Sequence, residues 1–244
     1  MPMSSSTVEV TRPAAANALG RAWDGFGAYL FDIDGTLINC ADATHYFAFC
    51  EALEKLAGRP LNLDGITAHG NTDVGILRDV LLGAGVPEIQ WRSRVREACT
   101  GMADFVETRA DQLCTTVLPQ VREVLEHLRR CGAVLGVATG NLERIGTLKL
   151  QRAGLFHYFQ FGGWSDDFEY RADVFRGAVV KARTLVGSNG ALCVIGDTPS
   201  DVRAAHENGV PVIAVATGIY TIEQLQAENP ELCIRSFEDL LART

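Results

Sequence analysis

The sequence has no cysteine pair at the spacing that binds metals or forms redox disulfides, although it contains seven cysteines. They stand singly, and their odd number argues against the disulfide framework of a small secreted protein. A structural zinc site is disfavoured as well, because such sites use closely spaced cysteines and histidines. We therefore expect reduced thiols in a cytoplasmic protein. The cysteines are Cys40, Cys50, Cys99, Cys114, Cys131, Cys193 and Cys233.

Long apolar runs and an excess of positive charge are also lacking. No run reaches the length of a transmembrane helix, and no basic flank precedes an apolar segment at the N-terminus. The formal net charge is −8, so the sequence lacks the excess of basic residues that is typical of a general nucleic-acid binder. We therefore expect neither a membrane nor a nucleic acid as partner. We also expect a monomer or a weak homodimer. A small anionic ligand stays compatible with the composition, because its recognition can be local.

What the sequence does contain is a set of short apolar runs that end in polar or glycine residues. Such runs are typical of buried parallel strands, and segments with helical periodicity lie between them. The alternation predicts an α/β fold with a doubly wound parallel sheet, whose ligands bind beyond the carboxyl ends of the strands. The runs are Ala28–Phe31, 133–138, 191–195 and 211–215.

One stretch interrupts the alternation of strands and helices. About 80 residues separate the first strand from the helix that follows Pro119, which is too long for a plain connection. The stretch has helical periodicity and departs from the sheet domain beside the presumed site. We therefore interpret it as an inserted helical cap that can act as a lid. The predicted units are a loose N-terminal arm at 1–24, a core domain at 25–38 and 117–244, and a helical cap at 39–116.

Two aspartates directly follow the first strand. Asp32 and Asp34 stand two residues apart, so on an extended chain both carboxylates point to the same side. Like charges that close are unfavourable unless a cation lies beside them, and Mg²⁺ is the usual cation next to phosphates. The alternative is a turn with two solvated aspartates.

A second acidic pair follows the third run. Asp197 ends this run beside Gly196, where a carboxylate is best explained as a metal ligand. Asp201 has a competing structural role, because it stands three residues after Thr198 and can cap a helix.

The second run is followed by Thr139, Gly140 and Asn141, ahead of a predicted helix. A hydroxyl and backbone N–H groups at such a position suit an anion, although a helix cap alone would also explain them. Phosphoryl transfer further needs a fixed cation near the phosphate oxygens. Arg171 is the favoured candidate because it lies on the loop before a helix, whereas Lys149 and Lys181 lie inside helices and are expected to be solvated.

The five histidines show no metal-ligand spacing, and we expect each to be an ordinary surface or packing residue. They are His45, His69, His127, His157 and His206.

Three segments, in their order along the chain, resemble the motifs of the haloacid dehalogenase superfamily of phosphohydrolases. They run from Asp32 to Thr36, from Thr139 to Asn141 and from Gly196 to Asp201. The inserted lobe resembles the helical cap of its phosphoglycolate phosphatase and β-phosphoglucomutase-like branch. The resemblance implies a Rossmann-like core and Mg²⁺ as cofactor.

By the same resemblance Asp32 is the nucleophile, Asp34 the general acid and base, and Thr139 a phosphate ligand with Gly140 and Asn141. Asp32, Asp34 through its carbonyl, Asp197 and Asp201 would serve the metal. Many members carry a lysine where this chain has Arg171, which can supply the same charge. A weaker match assigns Asn71, Thr72 and Asp73 to a cap loop that contacts substrate.

The function implied is hydrolysis of a small phosphorylated metabolite through an aspartyl-phosphate. A phosphomutase acting on a sugar phosphate uses the same residues and stays an alternative. A 2-haloacid dehalogenase is less favoured, since it needs no metal and would not require Asp34 or the downstream acidic pair. A binding module without activity is disfavoured because Asp32 and Asp197 are both present.

Overall fold

The computed structural model describes residues 18–243, and its elements alternate as the sequence predicts. The strands are β1 (Ala28–Phe31), β2 (Ile38–Cys40), β3 (Thr115–Val117), β4 (Val134–Ala138), β5 (Phe161–Gly163), β6 (Leu192–Gly196), β7 (Val212–Val215) and β8 (Leu232–Ile234). The helices are α1 (Thr44–Ala57), α2 (Asp73–Gly83), α3 (Glu88–Trp91), α4 (Val95–Glu107), α5 (Val121–Arg130), α6 (Glu143–Arg152), α7 (Arg171–Val186), α8 (Pro199–Glu207), α9 (Ile222–Gln226) and α10 (Glu238–Leu241). Short 3-10 turns lie at Arg92–Arg94, Ala110–Gln112 and Phe156–Tyr158.

Within the described residues, six strands form one parallel sheet in the order β5-β4-β1-β6-β7-β8. The first strand is central, and Phe31 pairs with Val137 on one side and with Ile195 on the other. Because the three strands are parallel and in register, the residues that follow them meet at one edge. The doubly wound α/β fold is confirmed, and Asp32, Thr139 and Asp197 share this edge.

The sheet is covered on both faces by apolar clusters, as a parallel sheet requires. Tyr29 and Phe31 point into a cluster with α5 and α10. Ala28 and Leu30 point to the other face, against α7, α8 and α9. This alternation follows from the two-residue period of a strand, and it leaves the carboxyl edge as the place for polar side chains.

The inserted stretch is helical, as expected, and has an apolar core of its own. A short antiparallel pair, β2 with β3, joins it to the sheet domain at both crossings. Its core is built from α1, α2 and α4, with Trp91 fully buried. Leu142 and Ile145, at the start of α6, also belong to this cluster. The sheet domain therefore contributes one helix end to the base of the cap.

The arm predicted at 1–24 differs from the structure in its last residues. Residues 1–17 lie outside the described part, but Leu19 and Trp23 are buried against the sheet domain. The Tyr29 hydroxyl donates to the Trp23 carbonyl over 2.6 Å. Two large apolar side chains in the segment provide the packing that the Ser- and Ala-rich composition of the preceding residues obscured.

Across residues 18–243, no helix has the length and apolar character needed to span a bilayer.

Candidate active site

A cleft of about 460 Å³ lies between the carboxyl edge of the sheet and the cap. Both lobes line it. The sheet domain contributes the residues that follow β1, β4, β6 and β7, and the cap contributes residues from α1 and from the loop before α2. The predicted site residues that line the cleft are Asp32, Asp34, Asn71, Asp73, Thr139, Gly140, Asn141, Arg171 and Asp197.

Asp32 and Arg171 form an ion pair at the centre of this cleft. Arg171 Nη2 lies 2.8 Å from Asp32 Oδ1 and 2.6 Å from Asp201 Oδ1, and all three side chains are at least nine-tenths buried. The Arg171 Nε also donates to Asp201 Oδ1 over 2.8 Å. Arg171 is the first residue of α7, which explains how a helix-borne arginine reaches the loop side of the sheet.

Asp197 directly follows β6, and its carboxylate lies close to those of Asp32 and Asp201. Its Oδ1 accepts a hydrogen bond from the Thr36 hydroxyl at 2.8 Å. The backbone at Gly35 and Gly218 approaches its carboxylate so closely that a Cβ at either glycine would collide with it. Gly35 also has a φ of 83°, which favours glycine. The turn after β1 is therefore shaped around this carboxylate.

The three carboxylates of Asp32, Asp197 and Asp201 bring oxygen atoms within 4.8 Å of one another. Burial, together with the Asp201 and Asp34 charges, raises the pKa of Asp32 to about 6 although Arg171 opposes this. Burial and the Asp32 charge likewise raise the pKa of Asp197. One guanidinium thus faces three buried carboxylates. A cluster of hard oxygen donors with surplus negative charge fits Mg²⁺.

Asp201 combines the two roles that the sequence left open. It forms a capping box with Thr198, whose hydroxyl accepts from the Asp201 backbone N–H while the Asp201 carboxylate accepts from Thr198. Its other carboxylate oxygen pairs with Arg171. It is fully buried and does not itself line the cleft. Its carboxylate therefore orients Arg171 from behind.

Asp34 is held by two donors that come from one helix and the loop before it. Lys149 Nζ lies 3.0 Å from Asp34 Oδ1 and 2.8 Å from Asp34 Oδ2, and Asn141 Nδ2 donates to Oδ2 over 2.8 Å. Burial alone would raise the pKa of Asp34, but the Lys149 ammonium and these hydrogen bonds outweigh it and lower the pKa to about 2. Asp34 is therefore a carboxylate in this arrangement.

The prediction that Lys149 is solvated is wrong. Its side chain is 4% exposed, and it reaches into the cleft from the last turn of α6. The signal lay in the helix pattern, because Lys149 follows Ile145 by four residues and precedes Leu150 on the buried stripe of α6. Lys181, by contrast, donates to the Gly162 carbonyl and does not line the cleft.

His45 was also missed. It lies in the first turn of α1, four residues before the buried Phe49, and its ring stacks on Phe49 with centroids 4.9 Å apart. Its Nδ1 lies 3.3 Å from Lys149 Nζ, and its Nε2 lies 3.2 Å from Asp73 Oδ2. His45 and His69 both line the cleft, so two histidines expected to be ordinary surface or packing residues belong to the site.

The loop after β4 is a turn of buried polar residues that lines the cleft. Thr139 and Asn141 are buried, and the Thr139 hydroxyl accepts from Asn141 Nδ2 over 2.8 Å. A Cβ at Gly140 would overlap the Asn71 carbonyl oxygen, so only glycine lets the cap loop approach this turn. The Gly140 carbonyl in turn accepts from the Asp73 backbone N–H at 2.8 Å.

The predicted cap loop has mostly structural contacts. The Thr72 hydroxyl caps α2 and donates to the Glu169 carbonyl, and Thr72 does not line the cleft. Asn71 Nδ2 donates to Asp79 Oδ2 over 2.9 Å. Asp73 Oδ2 accepts from the Leu142 backbone N–H at 2.8 Å. The loop thus fastens the cap to the sheet domain while Asn71 and Asp73 face the cleft.

Ion pairs connect the cap to the sheet domain. Glu169, on the loop before α7, pairs with Arg78 and with Arg92 of the cap. Arg144 of α6 pairs with Glu107 at the end of α4. Each bridge joins the two lobes, and none of these side chains lines the cleft.

Comparison with known proteins agrees with this geometry. The family model described as haloacid dehalogenase-like hydrolase matches residues 29–215, which is more than half of the chain. The chain belongs to this family.

Relatives of the haloacid dehalogenase-like family agree with the assignment. A Dickeya dadantii protein named probable phosphatase IndB is 26% identical over 212 residues, covering 87% of this chain and 90% of its own. A phosphoglycolate phosphatase of Caulobacter vibrioides is 27% identical over 214 residues, covering 86% and 87%.

A solved structure also matches: CbbY from Rhodobacter sphaeroides, in complex with phosphate, has a TM-score of 0.64 at 20% identity, with 89% of this chain and 98% of that chain covered. At this identity the likeness supports the fold. The predicted resemblance is confirmed, and the chain is a phosphoric monoester hydrolase of the haloacid dehalogenase-like type.

Proposed function

We propose that this chain is a magnesium-dependent phosphatase that hydrolyses a small phosphorylated metabolite through an aspartyl-phosphate on Asp32. The observation that carries the proposal is the pairing of the buried Asp32 carboxylate with Arg171 at the floor of the cleft. A nucleophile and a phosphate-binding cation thereby share one point, and the relatives named phosphatase favour the same chemistry.

In the first step an Asp32 carboxylate oxygen attacks phosphorus, the bond to the leaving oxygen breaks, and the phosphoryl group is transferred to Asp32. The Arg171 guanidinium has donors in a planar fork that can contact two phosphoryl oxygens at once. Thr139 and Gly140, on the loop after β4, line the same cleft. Together they would hold the phosphorus in line with Asp32.

Asp34 is the proposed general acid and base. As a carboxylate it can accept a proton from the water that attacks the aspartyl-phosphate in the second step. To protonate the leaving oxygen in the first step it must carry a proton, which requires its contacts with Lys149 to change when substrate binds. The same carboxyl group would then serve both steps, since the first leaves it as the base for the second.

Asp32, Asp197 and the carbonyl of Asp34 would hold Mg²⁺, with Asp201 orienting Arg171 behind them. When bound, the ion would neutralise the buried carboxylates and offset charge on the phosphoryl oxygens. The fit rests on the buried oxygen cluster and on its unfavourable charge balance.

The size of the substrate follows from the cap. A cleft of about 460 Å³, beneath a cap that ion pairs and backbone hydrogen bonds join to the sheet domain, suits a small metabolite rather than a phosphorylated macromolecule. Closure would also exclude water from the phosphoryl group.

The test is phosphate release from a panel of phosphorylated metabolites, starting with phosphoglycolate and sugar phosphates, with Mg²⁺ or with EDTA. We expect release from at least one small phosphate ester, loss with EDTA, and no release by Asp32→Asn. Activity that survives complete chelation, or that survives in Asp32→Asn, would contradict the proposal. Return of the phosphoryl group to a sugar instead of to water would indicate a mutase.

A further inference from the structure

Three metal-ligating side chains lie together at the amino end of the sheet, opposite the cleft. Asp24 stands on the turn before β1, His127 lies in the last turn of α5, and Cys131 directly follows that helix. A carboxylate oxygen, a ring nitrogen and a sulfur atom of these residues all lie within 4.8 Å of one another. None of the three residues lines the cleft, so the group is separate from the buried aspartates of the active site.

The ring nitrogen Nε2 of His127 is the atom at which the group converges. It lies 2.8 Å from Asp24 Oδ2 and 3.6 Å from Cys131 Sγ. When the proton of the neutral ring is on Nδ1, Nε2 presents a lone pair toward these two atoms. A thiolate, an imidazole and a carboxylate are the three kinds of ligand that Zn²⁺ binds in proteins.

The distances between these atoms are close to those of ligands on one tetrahedral zinc ion. With Zn–N and Zn–S bonds of about 2.0 and 2.3 Å, such an ion holds nitrogen and sulfur about 3.6 Å apart, and nitrogen and oxygen about 3.3 Å apart. The first value matches the observed separation of Nε2 and Sγ, and the second requires Asp24 Oδ2 to withdraw by about 0.5 Å. One thiolate and one carboxylate would also balance the charge of the ion.

Packing holds two of the ligands in place without an ion. The Trp23 ring is buried and stacks on the His127 ring, with centroids 5.3 Å apart and an angle of 27° between the planes. The backbone of Trp23, next to Asp24, accepts from the Tyr29 hydroxyl over 2.6 Å. His127 and Cys131 are four residues apart and share one face of the helix end. Because the ligands are already positioned, an ion would bind with little loss of side-chain freedom.

We propose that Asp24, His127 and Cys131 form a zinc-binding site that joins the segment before β1 to the end of α5. The Asp24 and His127 side chains are 26% and 20% exposed and Cys131 is exposed, so an ion can enter and keep water as its fourth ligand. The expectation of no zinc site rested on short spacings, whereas Asp24 stands 103 positions before His127. With only three protein ligands, the Kd is on the order of 1 µM, weaker than in a closed four-ligand site.

Cobalt titration of the reduced, metal-free full-length protein tests the thiolate ligand directly. Co²⁺ substitutes for Zn²⁺ in tetrahedral sites, where a cobalt–thiolate bond gives a charge-transfer band in the near ultraviolet and tetrahedral coordination gives intense visible bands. Excess Mg²⁺ is kept in the buffer to compete for the aspartate cluster of the cleft. We expect both sets of bands to saturate at one equivalent and Zn²⁺ to displace the cobalt.

Variants of each ligand identify the site. Cys131→Ser should remove the charge-transfer band and weaken zinc binding by more than about 100-fold, the upper end of what loss of an outer-shell partner costs. Asp24→Asn and His127→Phe, which keeps a ring against Trp23, should weaken zinc binding as well. Cys114→Ser is the matched control, an exposed cysteine outside the group, and should leave the spectrum and the Kd unchanged within about twofold.

A crystal structure of the zinc-loaded protein provides a second readout, with an anomalous peak expected between the three side chains. Visible cobalt bands without the charge-transfer band, equal zinc binding by Cys131→Ser and Cys114→Ser, or an anomalous peak confined to the cleft would each overturn the inference. If Cys131→Ser fails to fold, the wild-type cobalt spectrum and the zinc affinity of His127→Phe decide. All of these results are independent of phosphatase activity.

Discussion

Asp32→Asn should abolish turnover and at the same time make the metal-free protein more stable. The pKa of Asp32 is raised to about 6, first by burial and then by the charges of Asp201 and Asp34, so the folded state binds this proton more tightly than the unfolded chain does. The stabilisation that the proton provides is complete below the unfolded value of about 3.9 and is lost as the pH rises through about 6. At neutral pH the ionised group then lowers the free energy of unfolding by about 3 kcal/mol, at 1.36 kcal/mol for each pKa step.

Asparagine keeps the shape and the acceptor for Arg171 but removes the charge. In EDTA at neutral pH we expect the free energy of unfolding to rise by up to about 3 kcal/mol, and Tm by roughly 6–12 °C, at 2–4 °C per kcal/mol for a chain of this size. Thermal and denaturant unfolding at pH 7.5 and pH 5 provide the assay. At pH 5 the gain should shrink, because wild-type Asp32 is then protonated. Excess Mg²⁺ should also shrink it by stabilising wild type more than the variant.

Asp111→Asn, which changes an exposed carboxylate that does not line the cleft, is the control and should stay within about 0.5 kcal/mol of wild type. A metal-free Asp32→Asn that is less stable than wild type at neutral pH would refute the reasoning. In that case the ion pair with Arg171 would outweigh the burial and repulsion of the Asp32 carboxylate.

The remaining predictions concern the cation, the metal and the cap. Arg171→Ala should lower turnover by about 10²-fold or more, the scale for losing a transition-state donor, whereas Lys181→Ala should be nearly silent; reversed results in the same kinetic assay would misplace the phosphate-binding cation. The rise in Tm caused by Mg²⁺ should diminish as the pH falls through about 6, because protons compete with the metal for Asp32, and a calorimetric series that shows no pH dependence would count against this site. Calcium should replace Mg²⁺ poorly in phosphate release, since its flexible coordination suits in-line attack badly. Asp73→Asn should weaken cap closure and change KM for natural substrates more than hydrolysis of a small generic ester; equal losses on all substrates would argue against a role in selection.

The sheet and its carboxyl edge could be predicted because local sequence specifies them. A buried strand such as β1 is an unbroken apolar run. The first polar residue after it, Asp32, must therefore lie at the edge of the sheet. The four predicted runs all became strands. The strands β5 and β8 were not predicted, since each has three residues and β5 contains two glycines, which gives no periodic signal.

Long-range contacts account for what was missed in the site. Nothing near Lys149 indicates that its ammonium lies beside Asp34, 115 positions earlier in the chain. A lysine in a helix is usually solvated, and only its place on the buried stripe of α6 contradicts that expectation. His45 is a similar case, because its partners come from α6 and α2. The contacts of Lys149 follow from the fold of the sheet domain, whereas those of His45 are defined only once the cap lies over the sheet.

The central claim is that Asp32 accepts the phosphoryl group, and trapping with beryllium fluoride tests it most directly. A crystal structure with Mg²⁺ and beryllium fluoride should show beryllium bonded to an Asp32 carboxylate oxygen, with fluorides contacted by Arg171 and Thr139 and the metal between Asp32 and Asp197. An adduct on any other side chain, or an active enzyme in which Asp32 stays free under these conditions, would contradict the account.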